Sequence, residues 1–205
     1  GTLMNQTELV QEVLGIISRP DQIELIRSMV RASILKAHQR DYYYKDIVES
    51  GIKFGLQGLV QNFDPKMIFG NGFRKIKYIR KWLYDPTDVN FGQGGKILTP
   101  IEIEQIFDEF DDLRTDVYYM AGQLVQIRSV GGIEYCLAGA YILPDVSVDN
   151  VNSWICREYP YYIVHEAAAS VLVKVGKEKE ASTQKGLANE FYEIMIGESN
   201  NMPGA

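Results

Sequence analysis

The spacing of apolar residues changes twice along this chain, and that change restricts its fold more than any single motif. Residues 7–17 and 21–40 carry apolar side chains at helical intervals, and residues 160–175 and 177–196 return to the same period. Between them the period shortens, and short runs rich in tyrosine, isoleucine and valine are separated by glycine-containing turns. We therefore predict helices at both ends of the chain and a sheet in the middle.

Residues with capping preferences delimit the predicted helices. Asn5 and Glu8 stand at the spacing of a capping box before the first helix. Gly176 and Gly197 follow the last two apolar patterns, where glycine commonly ends a helix. Residues 197–205 show no periodicity, so we expect them to form an extended tail.

The middle of the chain contains three patterns that predict particular elements. Ile76, Tyr78 and Arg80 alternate as in a strand, and residues 118–142 indicate two strands that meet at a Gly131-Gly132 turn. A third pattern favours a short helix that starts at Thr99-Pro100, since threonine caps helices and proline fits the first turn.

These patterns predict an α+β fold. We expect a helical bundle formed by residues 1–45 and 150–196, a β-rich insertion over residues 46–149, and an extended C-terminal tail over residues 197–205.

Composition and charge exclude several classes of protein. The 205 residues carry 21 basic and 27 acidic side chains, a net charge of −6, which argues against tight binding of nucleic acid through phosphates. No apolar run approaches the ~18 residues of a membrane helix, so we expect no membrane association. Cys136 and Cys156 lie among apolar neighbours and are predicted to be buried free thiols.

Residues suited to catalysis or cofactor binding do not form a known arrangement. His38 and His165 stand outside metal-ligand spacings, and the glycine runs at 70–72 and 92–95 lack the residues of a phosphate-binding loop. The acidic residues between 102 and 112 crowd one predicted helix, whereas catalytic carboxylates usually come from separate elements. We predict no catalytic residue, no metal and no cofactor.

A basic run and an acidic run suggest charge pairing. The predicted strand carries Arg74, Lys75, Lys77, Arg80 and Lys81, and the predicted short helix carries Glu102, Glu104, Asp108 and Glu109. These groups pair across the sheet in a monomer, or between neighbouring subunits in a ring, where they would fix the register of the contact. The thirteen tyrosines also favour an interface, since tyrosine suits surfaces with one wet edge.

The order of segments resembles one protein family. The stretch ELVQEVLGIISRPD at 8–21, the long helix to KAHQR at 36–40 and its aromatic exit DYYY at 41–44 resemble the head-to-tail adaptor proteins of short-tailed bacteriophages, also called connector or tail tubular proteins. NSWI at 152–155 and YPYYIVHEAAA at 159–169 continue the resemblance, which covers residues 51–115 hardly at all.

The resemblance implies a structural protein of the virion rather than an enzyme. Such adaptors form a ring of twelve subunits at the head-tail junction, between the portal protein and the tail nozzle protein, and complete the channel that retains and then ejects genomic DNA without binding it specifically. By position, the resemblance assigns portal docking to the C-terminal residues Ile196, Asn200, Asn201, Met202 and Pro203.

Two other functions remain open from the sequence. A peptidoglycan-acting hydrolase of a phage tail would use the carboxylates between residues 102 and 116. A carbohydrate- or protein-binding module would use the central sheet.

Overall fold

The computed structural model describes residues 4–54, 60–82, 95–107, 115–129 and 135–199. It confirms a mixed α+β fold, with two four-stranded sheets among these residues. Contacts divide the chain into two units. The helical unit comprises Gly1–Tyr42 and Pro144–Ala205, and the sheet unit comprises Tyr43–Leu143.

The helices and strands follow in chain order. The helices are α1 (Gln6–Ile17), α2 (Ile23–Gln39), α3 (Pro65–Phe69), α4 (Glu104–Phe107), α5 (Trp154–Glu158), α6 (Pro160–Lys174) and α7 (Glu178–Ser199). The strands are β1 (Ile47–Lys53), β2 (Val60–Phe63), β3 (Phe73–Trp82), β4 (Lys96–Ile97), β5 (Thr99–Pro100), β6 (Val117–Ala121), β7 (Leu124–Arg128) and β8 (Tyr135–Ile142).

Helix α6 is the centre of the helical unit, because α1, α2 and α7 all pack against it. Its side chains are buried on nearly every side, and Ile163, Val164, Ala167, Ala168 and Val171 are fully inaccessible. The alanines let neighbouring helices approach closely, which suits a helix surrounded by others. The first and last segments of the sequence therefore share one core.

The caps of α1 and α6 agree with the sequence signals. The Asn5 side chain accepts a hydrogen bond of 2.8 Å from the Glu8 amide, which confirms Asn5 as the N-cap. Gly176 has a positive φ of 81° and follows α6 directly. The Lys177 amide then donates to the Leu172 carbonyl at 2.8 Å, as in a glycine-based C-terminal cap.

Helix α7 differs from its prediction at the C-terminal end and along its apolar face. It continues through Gly197 to Ser199, so the prediction that Gly197 ends the helix is wrong. Ala181, Ala188 and Met195 face the core at seven-residue intervals, whereas Ile194, which belongs to the apolar pattern of residues 177–196, is 51% exposed. A seven-residue period brings small residues against the alanines of α6, and the larger apolar residues then lie beside the contact.

The sheet unit contains two sheets that share a core. One has the strand order β1-β8-β3-β4 and the other β2-β7-β6-β5. Side chains from both sheets meet in a single cluster that includes Ile52, Ile79, Val125, Ile127 and Ala138. Leu98, between β4 and β5, is also buried there, where the chain passes from one sheet to the other.

The predicted hairpin around Gly131-Gly132 is wrong. The tight turn lies at Gly122, which has a positive φ of 64°, and it joins β6 to β7. Strand β8 belongs to the other sheet, where it pairs with β1 and β3. Alternating apolar residues identify strands, but they do not show which strands pair. Gly131 and Gly132 themselves lie outside the described residues.

Strand β3 is present, but its predicted alternation is interrupted. The pairing with β8 shifts between Ile76 and Tyr78, so that Ile79 is buried in place of Tyr78 and Arg80. An irregularity of this kind inserts an unpaired residue and moves the following side chains to the opposite face.

The predicted helix start at Thr99-Pro100 is also wrong. These residues form β5, which runs parallel to β6, and the Thr99 amide donates to the Asp116 carbonyl at 3.0 Å. The helical segment that follows, α4, begins at Glu104 and is a single turn among the described residues. Pairing with β6 satisfies the backbone at Thr99 and outweighs its local preference for a helix cap.

Candidate functional site

Asp116 is the centre of a cluster of charged and polar side chains among the described residues of the sheet unit. Its carboxylate accepts hydrogen bonds of 2.7 Å from both Lys81 and Lys96, and one of 3.0 Å from the Ser129 hydroxyl. The Lys81 ammonium also lies 2.6 Å from the Ser129 oxygen. The cluster therefore joins β3 and β4 of one sheet to the ends of β6 and β7 of the other.

The backbone conformation and the ionisation of Asp116 both reflect its place in this cluster. Its φ of 60° lies in the left-handed region, which aspartate tolerates better than most residues. Hydrogen bonds from Lys81, then from Lys96, lower the pKa of Asp116 from 3.8 to about 2. The carboxylate is therefore ionised across the physiological range and bridges two ammonium groups.

A serine next to a lysine resembles the pair that some hydrolases use, but the surroundings of Ser129 and Lys81 do not suit that chemistry. A lysine that acts as a base must lose its proton. Here the Lys81 ammonium donates a hydrogen bond of 2.7 Å to the Asp116 carboxylate and is held in an ion pair. Ser129 is also fully inaccessible. This arrangement supports a role for the cluster in holding the two sheets together.

Arg80 also has an acidic partner within the chain. Its guanidinium lies 3.8 Å from the Glu49 carboxylate on β1, and Tyr78 donates a short hydrogen bond to the same carboxylate. Gly139 makes this contact possible, because a Cβ there would lie 2.5 Å from the Tyr78 ring. The ring crosses the central strand β8 over this glycine. Burial, and then the Glu49 carboxylate, raise the pKa of Tyr78.

The other residues of the predicted charge pairing are dispersed. Lys75 and Lys77 are exposed on β3, and Arg74 is half-buried. Glu102 and Glu104 are exposed at the start of α4, while Asp108 and Glu109 lie outside the described residues. Arg80 and Lys81 thus pair within the chain with Glu49 and Asp116, which are not among the predicted acidic partners. Pairing of the remaining residues between subunits stays a prediction.

The portal-docking residues fall at the end of α7. Ile196 is half-buried within the last turn, and Asn200, Asn201, Met202 and Pro203 lie outside the described residues. Tyr159 donates a short hydrogen bond to the Glu198 carboxylate, which ties this last turn to the start of α6. Burial, followed by the hydrogen bond to Glu198, raises the pKa of Tyr159. The last described turn of α7 is therefore anchored to the start of α6.

Polar pairs inside the helical unit connect residues that are far apart in sequence. His38 and the Ser153 hydroxyl lie 2.6 Å apart and are buried beside the Trp154 ring. His165 lies 2.7 Å from the Gln184 side-chain oxygen. Both histidines thus hold α2, α6 or α7 against a neighbouring segment, and no group of three metal-ligating side chains occurs within the described ranges.

The cysteines are buried and chemically inert. Cys136 and Cys156 are free thiols in separate units. Burial raises the pKa of Cys136 to about 12 and also raises that of Cys156, so both remain protonated at neutral pH. The prediction of buried free thiols is confirmed.

The tyrosines divide between core and surface. Six of those described are buried, while Tyr42, Tyr44 and Tyr161 are 46%, 70% and 40% exposed. Arg40 stacks on Tyr192 at 3.5 Å from the ring centre and donates to the Tyr162 hydroxyl at 3.0 Å. Sequence reasoning missed this contact, the Asp116 cluster and the role of Gly139, because each joins residues with no sequence spacing to connect them.

No protein-family model matches the chain, and none of the curated proteins matches it either. In the part of the chain that the structure describes, no helix combines the length and apolar character needed to cross a membrane.

Proposed function

We propose that this chain is a structural adaptor of a short-tailed bacteriophage virion. In this proposal twelve copies form a ring at the head-tail junction, between the portal protein and the tail nozzle protein. The ring completes the channel through which genomic DNA passes without specific binding. The role is structural and involves no catalysis or cofactor.

The observation that carries the proposal is the joint packing of the two ends of the sequence. Residues before Tyr42 and after Pro144 form one helical unit around α6, and residues 43–143 form a separate unit. The resemblance rests on segments near both chain ends, and the packing of these segments in one unit supports the proposal.

The end of α7 supports the assignment of docking to the last residues. The helix has 22 residues, and the bond from Tyr159 to Glu198 fixes its final turn. Residues 200–205 follow directly from this anchored end. A segment that leaves a rigid helix at a defined point loses less conformational freedom on binding than one that leaves a mobile loop.

The net charge suits a channel wall. At −6 per subunit, twelve copies carry −72. A surface of the same sign as the phosphates repels DNA and lets it pass without adhesion.

The proposal is tested by mixing the purified chain with the portal protein of the same phage and imaging the complex by electron microscopy. We expect a ring of this protein on one face of the portal. A variant that ends at Ser199 should lose portal binding, because it lacks four of the five assigned docking residues but retains all of α7, including Ile196.

A matched control keeps the length of the chain and changes only its chemistry. Residues 200–205 are replaced by six glycine and serine residues, which should also abolish binding while circular dichroism and thermal unfolding stay unchanged. Portal binding by the variant that ends at Ser199, at the affinity of the full chain, would refute the docking assignment. Absence of any complex with the full chain would refute the adaptor role.

A further inference from the structure

The outer face of α7 differs in character from its buried face. Gly186, Glu190, Glu193, Ile194 and Gly197 are all exposed and lie on the side of the helix opposite Ala188 and Met195. From residue 186 onward the helix contains three glutamates and no basic residue. This face is therefore acidic and has an exposed apolar side chain, Ile194, along one edge.

No contact within the helical unit requires a glycine at position 186. A Cβ at this position would meet nothing within 4 Å, and the residue lies in the middle of a 22-residue helix. Glycine is the poorest helix former after proline, because the unfolded chain gains the most freedom from it. A close approach by another backbone would explain its presence on an exposed face.

The outer face of α2 has the complementary charge. Arg27 and Arg31 lie one turn apart and are exposed, and α2 as a whole carries three lysine or arginine residues against the single acid Glu24. Ser28 and Ala32 each follow one of these arginines and are exposed, so small side chains lie beside the two basic ones. Arg27 contacts Glu24 at 2.5 Å at the surface, and Arg31 contacts the buried side chain of Gln6 at 3.4 Å.

We propose that the outer face of α7 in one copy packs against the outer face of α2 in the next copy. Glu190 and Glu193 would face Arg27 and Arg31, Ile194 would lie over Ala32, and Gly186 would allow the helices to approach closely. This inference rests on the proposed ring and specifies how its subunits join.

The two faces are different surfaces of the same unit, which determines the kind of assembly. A contact between α7 of one copy and α2 of the next leaves the second face of each copy available for a further copy. Such a heterologous contact forms a ring when the rotation between copies closes. Opposite charges on the two faces also disfavour α2–α2 and α7–α7 contacts, and so set the direction of assembly.

The test uses charge reversal and its rescue in the full chain, with ring assembly measured by analytical ultracentrifugation, alone and with portal protein. Arg27→Glu with Arg31→Glu should weaken assembly on the order of tenfold, as should Glu190→Arg with Glu193→Arg. The variant with all four substitutions should assemble like the wild type, because the charges are exchanged between the faces. Glu12→Arg, on the exposed side of α1, is the control and should leave assembly unchanged.

A substitution at Gly186 gives a second test, in which thermal stability and ring assembly should change in opposite directions. Gly186→Ala should raise the thermal unfolding temperature of the isolated subunit by about 2–4 °C, because alanine favours the helix. The same substitution should weaken ring assembly, because the added methyl group separates the backbones. A residue that serves only the fold of its own chain would move both measurements in the same direction.

The outcomes separate this inference from the proposed function. Rings that form equally well in every variant, or a fourfold variant that fails to recover assembly, would overturn the contact while the adaptor role stands. Loss of portal binding with unchanged ring formation would assign the faces to portal and also overturn it. Failure of the wild-type chain to form a ring, alone or on portal, would overturn both.

Discussion

Polar side chains have different tasks in the two units. In the helical unit they act in separate pairs that join the two ends of the sequence, such as His38 with Ser153 and Gln6 with the carbonyls of Val146 and Val148. In the sheet unit Asp116 collects two lysines and a serine at one place. Apolar contacts are not directional, so these polar contacts specify which segments lie together.

Asp21 and Asp116 illustrate this difference between the two units. The pKa of Asp21 in the helical unit and that of Asp116 in the sheet unit are both lowered from 3.8 to about 2, each chiefly by hydrogen bonds from basic groups. Asp21 bonds Arg19 two residues away at the exposed surface, whereas Asp116 joins two sheets and its side chain is 18% exposed. The two carboxyl groups therefore have similar pKa values but different structural roles, because solvent screens the exposed pair of Asp21 and Arg19.

The largest expected loss of stability comes from truncating a buried side chain, and this change tests whether the two units unfold independently. Ile163→Ala in α6 removes a fully buried side chain from the helical unit and should lower its free energy of unfolding by about 2–5 kcal/mol. Ile79→Ala on β3 is the matched change in the sheet unit, where Ile79 is equally inaccessible. Amide hydrogen exchange should show lost protection only in the unit that carries the substitution. Equal loss in both units for either variant would show that they unfold together.

The next effect tests how the sheet unit holds Tyr78. Gly139→Ala places a methyl group 2.5 Å from the Tyr78 ring and should destabilise the unit by about 1–3 kcal/mol, through displacement of the ring and loss of its bond to Glu49. Tyr78→Ala in the same chain should remove most of the additional cost, since the clash is then absent. Urea denaturation of the two single variants and the double variant measures this coupling. Additive changes in the free energy of unfolding would show that the Tyr78 ring does not lie over Gly139.

The smallest expected effect is the pH dependence of the Asp116 cluster. Because its folded pKa of about 2 lies below the ordinary 3.8, the charged form stabilises the fold above about pH 4, and this contribution disappears as the pH falls toward 2. Asp116→Asn should cost about 1–2 kcal/mol at pH 7 and little at pH 2. Unfolding followed between pH 7 and pH 2 checks this.

Asp21→Asn is the control for that experiment. Because its pair with Arg19 is exposed, the substitution should leave the pH profile of unfolding close to that of the wild type. A profile changed more by Asp21→Asn than by Asp116→Asn would contradict the structural role assigned to the cluster.

Local signals were reliable wherever the chain responds to its near neighbours. Asn5 and Gly176 cap the helices as their types and spacing indicate, because a cap involves only residues within the adjoining turn. Gly197 did not end α7, since the bond between Tyr159 and Glu198 stabilises the last turn from another helix. Thr99 likewise forms a strand that pairs with β6 instead of the helix cap that its residue type favours.

The predicted sites show the same division. Composition drew attention to the basic residues of β3, but only the fold shows that Arg80 and Lys81 pair with Glu49 and Asp116 within the chain. No spacing in the sequence connects Gly139 to Tyr78 or Arg40 to Tyr192. Contacts of this kind depend on strand order and helix packing, which a single sequence does not encode at fixed intervals.

The sequence by itself determined the α+β class, the helices near both ends, the caps Asn5 and Gly176, and the burial of both cysteines. These features depend on periodicity and on contacts within a turn. Only the tertiary structure decided that β7 and β8 belong to different sheets, that α7 buries Ala181 and Ala188 and exposes Ile194, and that Asp116 bridges the sheets. The physical reason is that these choices depend on which distant segments meet, and that is decided by the packing of the whole unit.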